Sequence, residues 1–241
     1  MPRSEFLSIT PAAPSARPPG ATARRLRDFV ERPTFPCVGA KAALGQGGVR
    51  MLELGPLGDG GRDNTAPLLD ALERLAPRLD AEDADSRRLH SLAAVFDGPG
   101  DDDEAAFEAR LWDQLQRLHA LDVQRGHAWA DDVGDDPDAA DFSFSLAGHP
   151  FFVIGLHPGA SRRARRAPMP VLVFNSQRQF ARLRADGRYA KMQAATRARD
   201  RALQGSLNPN LADWGTAPET RQYSGRAVEA QWRCPFRKVS A

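Results

Sequence analysis

Cysteine is nearly missing from this chain of 241 residues, which has only Cys37 and Cys234. Two thiols so far apart exclude a disulfide framework, and no CxxC pair offers a zinc or dithiol redox site. Lysine is almost as scarce, with Lys41, Lys191 and Lys238 alone, so arginine fills nearly every basic position. No stretch approaches the ~18 apolar residues of a membrane span. The opening MPRSEFLSITPAAPSARPPG lacks the apolar segment of a secretory signal. No histidine sits in HExxH or a comparable metal pattern. These absences lead us to expect a cytoplasmic protein without a membrane partner.

The length suffices for one sizeable core. A net charge of +2 conceals an asymmetry: residues 80–141 hold 18 Asp/Glu against 5 Arg, and residues 160–202 hold 12 Lys/Arg against 2 Asp. The second segment reads as a face for anions. A nucleic-acid or anion-binding module built on it is the reading from another class. No aromatic side chains interleave its arginines as a base-stacking platform would need, so we expect no nucleic-acid partner.

Five prolines in residues 1–20 mark a flexible tail, leaving 21–241 as the folded domain. Thr22 starts a predicted helix that Pro33 ends. VRMLEL (49–54) reads as a strand and GPLGDGG after it as a loop. A helix from Asn64 or Thr65 puts Leu68, Leu69, Leu72 and Leu75 on one face. HSLAAVF (90–96) reads as a buried strand. From Asp103 the spacing of Phe107, Leu111, Leu115, Leu118 and Leu121 predicts an amphipathic helix. FSFSLA (142–147), FFVIGL (151–156) and PVLVFN (170–175) read as strands, and helices are predicted near 176–186 and 188–204. The first two of these strands lie too close for a helical crossover and should pair antiparallel. The pattern predicts an α+β fold: a single domain with a mainly antiparallel sheet, drawn mostly from the second half, flanked by helices.

Candidate chemistry is sparse at this level. The glycine loop lacks GxGxxG spacing, and Asp59 and Asp63 would repel a pyrophosphate. His119 and His127 fall at the end of the acidic helix, where solvated imidazoles are ordinary. His149 and His157 bracket a strand that can hold an imidazole rigidly; the residues alone favour a structural role for them. RRARR (162–166) suits bidentate pairing with carboxylates or phosphates. Asn208-Pro209 reads as a helix N-cap with proline at the first helical position.

The blocks FPCVGAKAAL (35–44), FFVIGLHPGASRRARR (151–166), PVLVFNSQRQFARLR (170–184), RARDRALQGSLNPNLADWG (197–215), RQYSGR (221–226) and WRCPF (232–236) resemble the YqcI/YcgG family, in family order. That family includes haem-dependent N-hydroxylases acting on the guanidine group of arginine or arginine-like amino acids in natural-product pathways. The resemblance implies a haem-dependent N-hydroxylating monooxygenase with an electron donor or peroxide as co-reactant. A homodimer is left open. A haem-binding sensor or carrier of the same fold, without that activity, is the nearer alternative. The chain has neither a CxxCH attachment nor a cytochrome-style haem-thiolate loop, so the haem would be non-covalent haem b.

Several site roles follow from the resemblance. His157 leads as axial ligand, with His149, Cys37 and Cys234 as alternatives. Arg162, Arg163, Arg166 and Arg226, together with Arg165 in the same cluster, are expected to pair the propionates. Gln204, Asn208, Tyr223 and Ser224 are expected as polar catalytic groups, and Asp213 and Glu219 as partners of the substrate guanidinium.

Overall fold

Every residue of SLAAVF (91–96) is buried, which demands cover on both faces of its sheet. The computed structural model describes residues 20–58, 63–82 and 88–239, and it supplies that cover with helices on each side. The expected tail lies outside these residues except for Gly20, as do residues 59–61 of the glycine loop. Along the chain run α1 (Ala21–Glu31), α2 (Val38–Gly45), β1 (Val49–Leu54), α3 (Thr65–Glu82), β2 (Ser91–Phe96) and α4 (Glu104–Gln124). There follow β3 (Phe144–Leu146), β4 (His149–Leu156), β5 (Val171–Ser176), α5 (Gln177–Ala185) and α6 (Arg188–Gln204). The strands form one sheet in the order β1-β2-β5-β4-β3. β1 and β2 are parallel and the remaining pairings antiparallel, so the fold is α+β in a single domain. Among the described residues, no helix is long and apolar enough to cross a membrane.

The sheet takes three of its five strands from the second half, as expected, and α3 carries the chain across from β1 to a parallel β2. Two features depart from the sequence pattern. FPCVGAKAAL yields a helix, α2, whose N-cap Cys37 accepts a hydrogen bond on Sγ from the Ala40 amide at 3.4 Å. Asn208-Pro209 starts a turn rather than a helix: Asn208 Oδ1 accepts from the Asn210 amide at 2.9 Å, and no helix follows. The antiparallel pairing of β3 with β4 is as predicted, through a two-residue turn at Ala147 and Gly148 with φ of 53° and 68°. Both angles are left-handed, as a tight hairpin requires.

The pleat divides the core in two. Leu92, Ala94, Phe96, Val153, Leu172 and Phe174 pack with α3 and α4, whereas Ala93, Val95, Leu156 and Val171 pack with Leu26 and Phe29 of α1. His119 belongs to the first core and is not solvated: its Nε2 accepts from the Val239 amide at 2.9 Å, and its ring meets Phe236 edge-on. On the same side, Gly155 lets α4 approach β4. A Cβ there would lie 2.8 Å from both Phe107 and Leu111. Gly155→Ala should therefore lower stability by about 1–3 kcal/mol through overpacking. The measurement is the denaturant midpoint, expected to fall with an unchanged slope.

Candidate functional site

Between the sheet and helices α1, α2, α5 and α6 lies a cavity of about 350 Å³. Its sheet wall is Met51, Ala93, Phe152, Ile154 and Val173, side chains that the pleat turns away from the α4 layer. Leu26, Val30, Ala40 and Met192 face them from the helices. Such walls suit an apolar body, and a few polar groups set its orientation.

Cys37 opens onto this cavity from the N-cap of α2. Burial pushes its thiol pKa up, against the opposing pulls of the Ala40 and Gly39 amides and of Arg165. Arg165 lies beside it with no carboxylate partner among the described residues. Its guanidinium donates to the carbonyls of Gly155 (2.9 Å), Gln222 (3.0 Å) and Tyr223 (3.4 Å). Burial pulls its pKa down to about 10, only partly offset by Cys37 and Asp200. Arg162 is neutralised instead, with Nη2 2.5 Å from Asp200 Oδ2 and further bonds to Ser206.

Glu219 also lines the cavity. Its Oε1 accepts from Ser143 Oγ at 2.9 Å and from the Tyr223 hydroxyl at 2.7 Å, and its Oε2 accepts from Gln177 Nε2 at 3.0 Å. Burial outweighs those bonds and raises the carboxyl to about 8. Asp213 stands at the same cavity but is exposed, where Arg197 and Gln193 hold it at 2.7 and 3.0 Å. Asn208 lines the wall and donates to the Gly225 carbonyl at 3.3 Å.

The other expected site residues lie elsewhere. His157 is buried away from the cavity, stacked on Phe107 of α4 with ring centroids 4.2 Å apart. Burial lowers its pKa, with Glu104 and Asp102 pulling the other way, and its Nδ1 has no hydrogen-bond partner. His149 has both nitrogens engaged, Nδ1 with Asp80 at 2.9 Å and Nε2 with Ser176 Oγ at 2.8 Å. Cys234 is buried in the α3–α4 core, where burial raises its thiol to about 12. Arg163 and Arg166 are exposed and bind nearby backbone carbonyls, and Arg226 pairs with Glu108 and Glu229. Gln204 stitches to the Arg163 amide and the Ser161 carbonyl. Tyr223 and Ser224 are buried behind the wall, bonded to Glu219 and to the Arg226 amide respectively.

Of the four expected ligands, Cys37 alone faces the cavity. Sequence reasoning did not single out Arg184, Tyr189 and Trp214, which sit together on its wall. They come from an arginine-rich helix, the start of the next one and a loop, so no local spacing connects them. Gln177 and Asp200 were missed for the same reason: each acts through a partner 38 or more residues distant.

Comparison with known proteins matches residues 26–237 to the model of the YqcI/YcgG family. The chain is 28% identical over 214 residues to the uncharacterized protein YcgG of Bacillus subtilis (strain 168), covering 84% of this chain and 81% of that one. It is also 28% identical over 219 residues to the uncharacterized protein YqcI of the same strain, covering 85% and 81%. No solved structure matches it.

Glu219 gives a test that needs no ligand. Its carboxyl titrates near 4.5 in an unfolded chain and at about 8 in the fold. Between these values the folded state holds a proton that the unfolded state has released, so this group's stabilising contribution is lost as pH rises. Glu219→Gln removes the titration. Stability of the variant relative to wild type, measured by denaturant unfolding, should increase steadily from pH 5 to pH 8. A pH-independent difference would mean that the carboxyl is ionised throughout.

Proposed function

This chain belongs to the YqcI/YcgG family, and we propose that it is a haem-dependent N-hydroxylase acting on the guanidine group of arginine or an arginine-like amino acid. The reading rests on the family resemblance for the reaction and on one observation for the site. That observation is an apolar cavity with a single thiol, Cys37, facing into it beside Arg165, which has no carboxylate partner among the described residues. A porphyrin is a flat apolar body with anionic propionates and one iron in need of an axial donor. Apolar walls, one soft donor and the positive charge of Arg165, which its carbonyl partners do not cancel, answer to those three needs. Among the described residues, no three His, Cys, Asp or Glu side chains gather into a metal cluster. A haem iron asks the protein for only one donor. Cys37 would supply it as thiolate, losing its proton on binding.

A guanidinium holds its proton to a pKa above ~12 and has no available lone pair on nitrogen. Haem, when bound, would supply activation of peroxide, or of dioxygen with two electrons and two protons from a separate electron donor, so that an N–H bond becomes N–OH and the other oxygen leaves as water. The chain's residues do the rest. Glu219 Oε2 carries only the bond from Gln177, so it retains a lone pair for a guanidinium N–H. Its carboxyl titrates near neutrality, which suits it to take a proton at that oxygen and return it. Tyr223 and Ser143 fix its other oxygen and so its orientation. The apolar walls exclude water from the reacting nitrogen.

The test is an absorption spectrum of protein expressed with a haem precursor, followed by a product assay with arginine. Cys37→Ser keeps an N-capping oxygen for α2 and should lose or strongly shift the Soret band and abolish N-hydroxylation. His157→Ala and His149→Ala should keep the wild-type spectrum. Arg165→Met should weaken haem retention, and Arg166→Ala should not. A Soret band unchanged in Cys37→Ser and lost in His157→Ala would remove haem from this cavity. Haem without product would leave a carrier or sensor.

A further inference from the structure

Arg184, in the last turn of α5, is the one arginine on the cavity wall whose charge the fold leaves unanswered by any hydrogen bond among the described residues. Arg162 is matched by Asp200, Arg197 by Asp213, and Arg165 spends its donors on three carbonyls. The Arg184 guanidinium instead lies over two rings, 5.0 Å from the Trp214 centroid and 5.6 Å from that of Tyr189. All three residues line the cavity. Arg184 is half-buried. A cation drawn partly out of water without a partner is costly; ring faces offset part of that cost and leave the N–H fork free. Glu219 acts on it through space without touching it, so the wall presents a cation and a carboxyl that do not neutralise each other.

We propose that Arg184, held on Tyr189 and Trp214, recognises the carboxylate of the substrate, so that the cavity selects guanidino acids over guanidino amines. The inference deepens the function proposed above and rests on it for the guanidine end. A guanidino acid carries a cation and an anion in one molecule. Glu219 offers an acceptor for the first and Arg184 a planar two-donor fork for the second. An amine such as agmatine, which is arginine without its carboxylate, would leave the fork empty and bring its ammonium near Arg184 with no anion to offset the repulsion.

Isothermal titration of the haem-loaded protein tests this with three probes: L-arginine, agmatine and L-norvaline, which has the amino-acid head but no guanidine. Wild type should bind L-arginine roughly 10- to 100-fold more tightly than agmatine, the worth of one charge-assisted contact. Arg184→Gln should erase that preference by losing arginine affinity, while agmatine affinity stays the same or rises as the like-charge repulsion is removed. Arg184→Lys, which keeps the charge but not the fork, should recover only part of it. Equal binding of arginine and agmatine by wild type overturns the proposal. So does a preference that survives Arg184→Gln, or a wild type that binds none of the three. The guanidine reading can fail separately. L-norvaline bound as tightly as L-arginine by wild type, and released in Arg184→Gln, would leave the carboxylate site standing without the guanidine one.

Discussion

Successive residues of a β-strand point to opposite faces, and along β4 that period separates the cavity from the core. Phe152, Ile154 and Leu156 line the cavity. Phe151 and Val153 enter the α3–α4 core, and the bare face of Gly155 admits Phe107 and Leu111. His157 continues in step with Val153 and Gly155, so it arrives on Phe107 and not in the cavity. Slipping the strand by one residue would exchange the two sets. The ladder forbids it by setting Val153 against Phe174 and Ile154 against Val173. Cys37 escapes the constraint because it belongs to the cap of α2, which lines the cavity, and not to the sheet.

The second organising fact is charge held where water is scarce. Among the described residues Arg165 and Arg184 lack carboxylate partners, and the three bonds to Glu219 do not hold its carboxyl in the ordinary acidic range. In a core, such groups would be replaced by apolar ones or paired. Here their backbones are fixed by a 3-10 turn at Arg163–Arg165, by α5 and by a short 3-10 helix at Glu219–Gln222. Fixed dipoles and charges aimed at a cavity cost little reorganisation when a charged ligand arrives, and they act strongly in a medium that screens weakly. Arg162 differs only in having Asp200 as counter-charge, and it correspondingly ties α6 to the loop after β4.

Secondary structure was legible wherever apolar periodicity was strong. The predicted strand at 49–54 and the helices near 64, 103, 176 and 188 all form within about two residues of those positions. α2 was not, because VGAKAALG is short and almost uniformly small and apolar, leaving no polar face to count. The cavity brings together some of the residues expected at a site and leaves others elsewhere. Cys37, Arg162, Arg165, Asn208 and Glu219 do meet at one cavity. That His157 lies outside this cavity was not legible, because a histidine ending an apolar strand looks the same whichever face it takes, and only the pairing of β4 with β5 decides that. Gln204, Ser224 and Arg226 lie in equally distinctive blocks yet serve to join loops. A conspicuous motif does not distinguish a residue that touches a ligand from one that holds a turn.

α6 brings these points together. Of its 17 residues only Asp200 is buried, and that residue is bonded to Arg162. Thr196 accepts from the Val38 amide at 3.3 Å, while Met192 and Gln193 face the cavity half-exposed. A helix polar around most of its circumference gains little from the hydrophobic effect and stays in place through its polar contacts and neighbours. The opposite layer is different: α4 buries Phe107, Leu111, Trp112, Leu115 and Leu118. The sheet is therefore sealed tightly on one side and loosely on the other, and the loose side carries the cavity. An apolar body filling that space would give Met192, Ile154 and Val173 the contacts they lack and would stabilise the folded state by mass action as well as by packing. The fold thus has a closely packed half that sets the register and a more open half that carries the cavity.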